Sequence, residues 1–123
     1  MKSMYYADSI PGGITCNQQK VMVVDDNAEL ISTLRYGLDS CGFQVIFCNS
    51  GAEALEKSMH DEFDYIVIDY QMPRMNGIEL TKRLRERSSR VIIIGMSAED
   101  LGIDFLNAGA NDFLQKPFVP YRL

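Results

Sequence analysis

From Val21 onward, apolar residues alternate between two spacings. Unbroken runs, VMVV (21–24), QVIFC (44–48), YIVID (65–69), VIIIGM (91–96) and DFLQK (112–116), predict strands, and between them apolar residues recur three or four apart, as on a helix. The first helical segment places Leu30, Ile31, Leu34 and Leu38 on one face and closes near Gly42. The second opens with Ser50-x-x-Glu53, a capping box in which each side chain satisfies an orphan amide of the first turn, and continues through Leu55 and Met59. Ile78, Leu80 and Leu84 form the third after the turn MPRMNG, and Leu101, Phe105 and Leu106 the fourth before NAGAND.

Strands alternating with helices imply parallel pairing through right-handed crossovers, and strands of continuous Val and Ile imply burial on both faces. The pattern therefore predicts a doubly wound α/β fold with a five-stranded parallel sheet. In such sheets the ligand site lies beyond the carboxyl ends of the strands, where the winding reverses. Residues 1–19 show no periodicity and carry Pro11, Gly12 and Gly13, so they read as an N-terminal extension, with 20–123 as one domain.

Composition narrows the classes. At 123 residues with 46% apolar content the chain is long enough for one core without staples. A net charge of −5 argues against a nucleic-acid partner, and Lys82, Arg83, Arg85, Arg87 and Arg90, interleaved with Glu79 and Glu86, read as a solvated helix face. Cys16, Cys41 and Cys48 form no CxxC pair, which suits reduced thiols in a cytoplasmic protein. No apolar run approaches the roughly 20 residues of a membrane span, so no membrane partner is expected. His60 stands alone and reads as a surface residue.

The strand ends carry the chemistry. The first ends at Asp25 and Asp26, the third at Asp69, the fourth at Ser97 and the fifth at Lys116. Taken singly, Asp25 or Asp26 is a candidate helix cap (Asn27 competing), Ser97 a cap for the segment AED, and Lys116 an exposed strand end. Arriving together at one edge, they point to a site. Three carboxylates and one lysine leave an excess of negative charge that a hard divalent cation such as Mg²⁺ balances, and Mg²⁺ keeps room for phosphate oxygens.

These residues resemble the receiver domain of two-component response regulators. VVDD, VIDYQMPRMNG, IIGMSA and DFLQKPF stand in that family's order and spacing over residues 20 to about 119. The resemblance implies a flavodoxin-like fold in which Asp69 accepts a phosphoryl group from the phosphohistidine of a sensor histidine kinase or a histidine phosphotransfer protein. It implies Asp26 directly on Mg²⁺, Asp25 acting through water, the backbone carbonyl of Gln71 as a further ligand, and Ser97 and Lys116 on phosphoryl oxygens. It also implies a cis bond from Lys116 to Pro117, Phe113 as the aromatic that turns with phosphorylation, and a changed surface read by a downstream effector domain or protein. The chain is then a phosphoacceptor signalling domain and not a conventional enzyme.

Two departures stand out: Asn76 where Asp is usual, and only seven residues after Lys116, where relatives continue into a fifth helix. Without that helix, part of the sheet face beside the first helix is expected to be bare, or covered by the extension through Met4, Tyr5, Tyr6 and Ile10. An alternative is a phosphatase of the haloacid-dehalogenase type, but that chemistry needs an acid two residues after the nucleophile, and Asp69-Tyr70-Gln71 has an amide there. A flavodoxin-like cofactor binder calls for a Gly- or Ser/Thr-rich loop where this chain has DDNAEL. A second alternative, a phosphorylation-independent pseudo-receiver, sits poorly with the intact set of acids, Ser97 and Lys116.

Overall fold

The computed structural model describes residues 19–117. Five strands alternate with four helices: β1 (Lys20–Val24), α1 (Ala28–Ser40), β2 (Gln44–Cys48), α2 (Gly51–His60), β3 (Tyr65–Asp69), α3 (Gly77–Arg87), β4 (Ile92–Ser97), α4 (Gly102–Ala108) and β5 (Asp112–Gln115). All strand pairs are parallel, in the order β2-β1-β3-β4-β5. The chain winds from β1 outward to β2, then returns to place β3 on the other side of β1. The reversal therefore lies between β1 and β3, the two strands that end on acids.

Alternation across the strands builds the core. Met22 and Val24 of β1, Ile66 and Ile68 of β3 and Ile93 of β4 bury one sheet face against Ala54 of α2, Leu80 and Leu84 of α3 and Phe105 of α4. Each such side chain contributes roughly 1.5–3 kcal/mol when fully removed from water. Gly95 makes room for the Phe105 ring, which a Cβ there would overlap. On the opposite face, Ile92 of β4 and Leu114 of β5 are 38% and 41% exposed. Residues 1–18 and 118–123, where the extension and any continuation after Pro117 fall, lie outside the described residues, as does Cys16.

Several expectations are adjusted. The last two strands are shifted or shortened by one residue, to Ile92–Ser97 and Asp112–Gln115. Ser50 accepts from Glu53 N as a capping box requires, but the Glu53 carboxylate reaches one residue further back and accepts from Asn49 N at 3.0 Å instead of Ser50 N. Met59 and Leu106, read as helix-face residues, are 65% and 50% exposed, and Leu101 stands at the N-cap of α4 without a side-chain capping bond. Arg85 is not a solvated charge. Its guanidinium donates to the carbonyls of Gly109, Ser88 and Val91 and to Asn111 Oδ1, tying the end of α3 to the segments that start β4 and β5.

Candidate functional site

Local structure at each strand end explains how the polar groups converge. After Val24 the chain turns into α1, whose N-cap is Asn27: its Oδ1 accepts from Glu29 N and Leu30 N at 2.9 and 3.1 Å. The Asn27 backbone N–H in turn donates to Asp25 Oδ1 at 2.8 Å, so the helix cap also fixes a carboxylate of the site. Asp25 is fully buried and Asp26 beside it is exposed. Asp69, 5% exposed, ends β3, one strand away across the switch point.

Asp25, Asp26 and Asp69 each bring a carboxylate oxygen within 4.8 Å of the other two. Lys116, just past β5, places Nζ 2.7 Å from Asp69 Oδ1 and 3.5 Å from Asp25 Oδ2. The Lys116–Pro117 peptide is cis. Ser97 closes β4 almost fully buried; its Oγ accepts from Glu99 N at 2.9 Å, and α4 starts five residues later, so Ser97 caps no helix. Together with Asn27, Gln71, Ala98 and Glu99 these groups line a cavity of about 170 Å³.

The charge balance is visible in the protonation equilibria. Burial pushes the Asp25 carboxyl up from its ordinary value, and the Asp69 charge adds to this; the Asn27 amide and the Lys116 ammonium oppose it without cancelling it. For Lys116, burial alone would lower the ammonium, but the hydrogen bond and charge of Asp69, with Asp25 behind it, hold it above the ordinary lysine value. One ammonium among three carboxylates leaves the site with a negative excess. Oxygen donors of this kind and spacing fit a hard divalent cation.

The residues singled out at the strand ends thus share one cavity, lined also by Gln71. Phe113 lies to one side: its ring packs 5.6 Å from that of Phe105 and against Gly102 of α4, half-buried and away from the carboxylates. Asn27 was visible in sequence only as a rival cap. Its grip on Asp25 follows from the turn that joins an acid at a strand end to a helix two residues later. A larger groove of about 520 Å³ sits at the opposite end of the sheet, lined by Phe63, Leu84, Arg87 and Arg90 among others. Size does not locate the chemistry here; the cluster of like charges does.

The family model for the response regulator receiver domain matches residues 21–123. This chain belongs to the response regulator receiver domain family. It is 37% identical over 105 residues to the alkaline phosphatase synthesis transcriptional regulatory protein PhoP of Bacillus subtilis (strain 168), covering 83% of this chain and 44% of that protein. The receiver domain therefore spans less than half the length of that relative. The chemotaxis protein CheY4 of Vibrio cholerae superposes with a TM-score of 0.79 at 31% identity, covering 85% of this chain and 92% of that one. The receiver domain of the sensor histidine kinase PA1611 from Pseudomonas aeruginosa PAO1, solved with a magnesium ion in its active site cleft, gives 0.77 at 30% identity, covering 86% and 91%. The protein is a receiver domain of two-component response regulators, a signalling module. No helix among its described residues is long and apolar enough to cross a membrane.

Proposed function

We propose that this receiver domain takes a phosphoryl group onto Asp69 from the phosphohistidine of a partner kinase or phosphotransfer protein, in a reaction that requires Mg²⁺. The observation that carries this reading is the Asp69 carboxylate, held 2.7 Å from Lys116 Nζ at the floor of a cavity walled by Asp25 and Asp26. The magnesium ion in the cleft of the PA1611 receiver domain supports the choice of metal.

Asp25, Asp26 and Asp69 would hold the ion, with the Gln71 carbonyl as a further ligand. When bound, it supplies positive charge for the phosphoryl oxygens. An Asp69 carboxylate oxygen attacks phosphorus in line; the O–P bond forms as the P–N bond to the donor imidazole breaks, and the imidazole leaves with the electron pair. Lys116, beside Asp69 at the start, neutralises charge on the transferred group. The Ser97 hydroxyl, which accepts from Glu99 N, keeps its proton free to donate to a phosphoryl oxygen.

Engaging Ser97 in this way pulls on the segment 98–101 and hence on α4, against which Phe113 rests. The changed α4–β5 surface is the signal passed to an effector. The solved relatives include a response regulator joined to a GGDEF domain, while PhoP is a transcriptional regulator, so the receiver is the part shared between different outputs.

Intact mass spectrometry after incubation with acetyl phosphate tests the reading. One Mg²⁺-dependent phosphoryl adduct, labile to base and absent in Asp69→Asn, is expected. No adduct on folded, Mg²⁺-binding protein would refute it in favour of a phosphorylation-independent interaction module.

A further inference from the structure

We infer that Gly77, at the start of α3, is a positioning residue for phosphoryl transfer: its missing side chain lets the first turn of α3 sit directly on the backbone of Asp69 and hold that nucleophile against Lys116. The inference rests on the reading of Asp69 as phosphoacceptor and adds to it the element that aims the carboxylate.

A Cβ on Gly77 would overlap the Asp69 carbonyl oxygen and lie 2.9 Å both from the Asp69 carbonyl carbon and from Ile68 Cγ2. These neighbours are two backbone atoms and a buried branched side chain, none of them the far end of a flexible chain. The contact is reinforced by hydrogen bonds on both sides. Gly77 N donates to Tyr70 O at 2.9 Å, and Tyr70 N donates to Met96 O at 2.9 Å, so Tyr70, the residue following Asp69, is clamped between α3 and β4. Within α3, the fully buried Thr81 hydroxyl donates to Gly77 O at 2.7 Å, and Asn76 Oδ1 caps the helix by accepting from Glu79 N at 2.9 Å. The first turn is thus fixed from below and above, and the Asp69 backbone rests on it.

Glycine is needed here for close approach, since its φ is not in the left-handed region. An added methyl must push the end of β3 and the start of α3 apart by on the order of 1 Å, and displacements of that size at a reacting group cost about 10²-fold in rate. Gly109 provides a matched control. It lies at the other end of the sheet with φ +117, and its Cβ would meet Arg85 Cγ at 2.8 Å, so alanine there is also costly but remote from Asp69.

The test compares the full chain with Gly77→Ala and Gly109→Ala, each shown to be folded by circular dichroism at the assay temperature. The initial rate of Asp69 labelling by acetyl phosphate is measured at saturating Mg²⁺, with crystal structures of all three. Labelling slowed about 10- to 100-fold in Gly77→Ala and less than threefold in Gly109→Ala, with the Asp69–Lys116 contact opened only in Gly77→Ala, is the expected result. A Gly77→Ala protein that labels at the parental rate, or slowing of equal size in both variants, overturns the inference. Should Gly77→Ala fail to fold, Thr81→Val, which removes the hydroxyl bond to the Gly77 carbonyl at constant shape, replaces it; severalfold slower labelling supports the role and an unchanged rate overturns it. If the parental chain takes no label, the phosphoacceptor reading fails. The Asp69–Lys116 contact in the crystal structures then decides the role of Gly77: opened in Gly77→Ala alone it stands, unchanged it falls.

Discussion

Replacing Asp25 by Asn should stabilise the metal-free protein and sharply weaken its response to Mg²⁺. Burial is the largest cost of the Asp25 charge, and at an effective dielectric of about 20 the Asp69 charge, its oxygen within 4.8 Å, adds a repulsion of roughly 3.5 kcal/mol. Against burial and this repulsion stands the Lys116 ammonium at 3.5 Å, an attraction of about 5 kcal/mol on the same scale. The Asp25 carboxyl is raised in spite of Lys116 and the Asn27 backbone amide, so the two costs win, and Asp25→Asn should gain on the order of 1 kcal/mol without metal at pH 7. Because folding raises this pKa, the folded state holds the proton more tightly than the unfolded one. Metal-free stability should therefore climb as pH falls from the folded pKa toward the ordinary value of 3.8, and Asp25→Asn should lack that climb. Urea unfolding followed by circular dichroism from pH 4 to 8, with and without Mg²⁺, reads both effects. Mg²⁺ at ten times its Kd should add about 1.4 kcal/mol to the parental protein and far less to Asp25→Asn. A metal-free Asp25→Asn protein less stable than its parent at pH 7 would refute the electrostatic reasoning.

Three further outcomes follow from residues around the site and fold. Arg85→Met removes four hydrogen bonds of 2.8–3.1 Å and should cost about 2–3 kcal/mol in urea unfolding at constant m, Arg85→Lys about half; a loss under about 0.5 kcal/mol would contradict the tie between α3, β4 and β5. Burial, with the Glu53 charge, pushes the Cys48 thiol up to about 11, so in a Cys16→Ser background a thiol reagent at neutral pH should modify exposed Cys41 at once and Cys48 only on unfolding; equal rates would contradict this. The Lys116 ammonium is held above its ordinary 10.5, so its stabilising contribution is complete below that value and is lost as pH rises through the folded pKa; Lys116→Met should lack this alkaline loss in a pH series of unfolding midpoints.

The β/α alternation was legible because burial on both faces forces unbroken apolar runs, and a strand leaves its next residue at a predictable edge. Asp25, Asp26, Asp69, Ser97 and Lys116 could therefore be placed together before any coordinates. Arg85 could not be read correctly, because spacing within a helix reports neighbours three and four residues away, whereas its partners Gly109 and Asn111 lie 24 and 26 residues on. Gly77 was visible as the end of a turn, but its approach to the Asp69 carbonyl depends on how α3 packs across the tip of β3, which no local pattern encodes. Met59 and Leu106 were read as helix-face residues because periodicity does not report where a helix end leaves the core.

The site's electrostatics impose an order on what can enter it. Counting ionised groups, three carboxylates and one ammonium leave two negative charges in a cavity of about 170 Å³, and Asp25 and Asp69 are shielded from water. A phosphoryl donor is itself an anion. Its approach to Asp69 is opposed as long as that excess stands, and Lys116 is already committed to Asp69 and Asp25. Asp25, Asp26 and Asp69 would hold a divalent cation that offsets the excess, so on the assignment proposed above metal would enter before phosphoryl. The same reasoning assigns Lys116 two tasks at different times. Before transfer it holds Asp69 and Asp25 together against their repulsion; on the proposed reaction, once the acceptor oxygen is joined to phosphorus as an acyl phosphate, its charge would be free to follow the new phosphoryl oxygens. A lysine with an elevated pKa suits both, since it stays charged throughout and its flexible stem allows the ammonium to move.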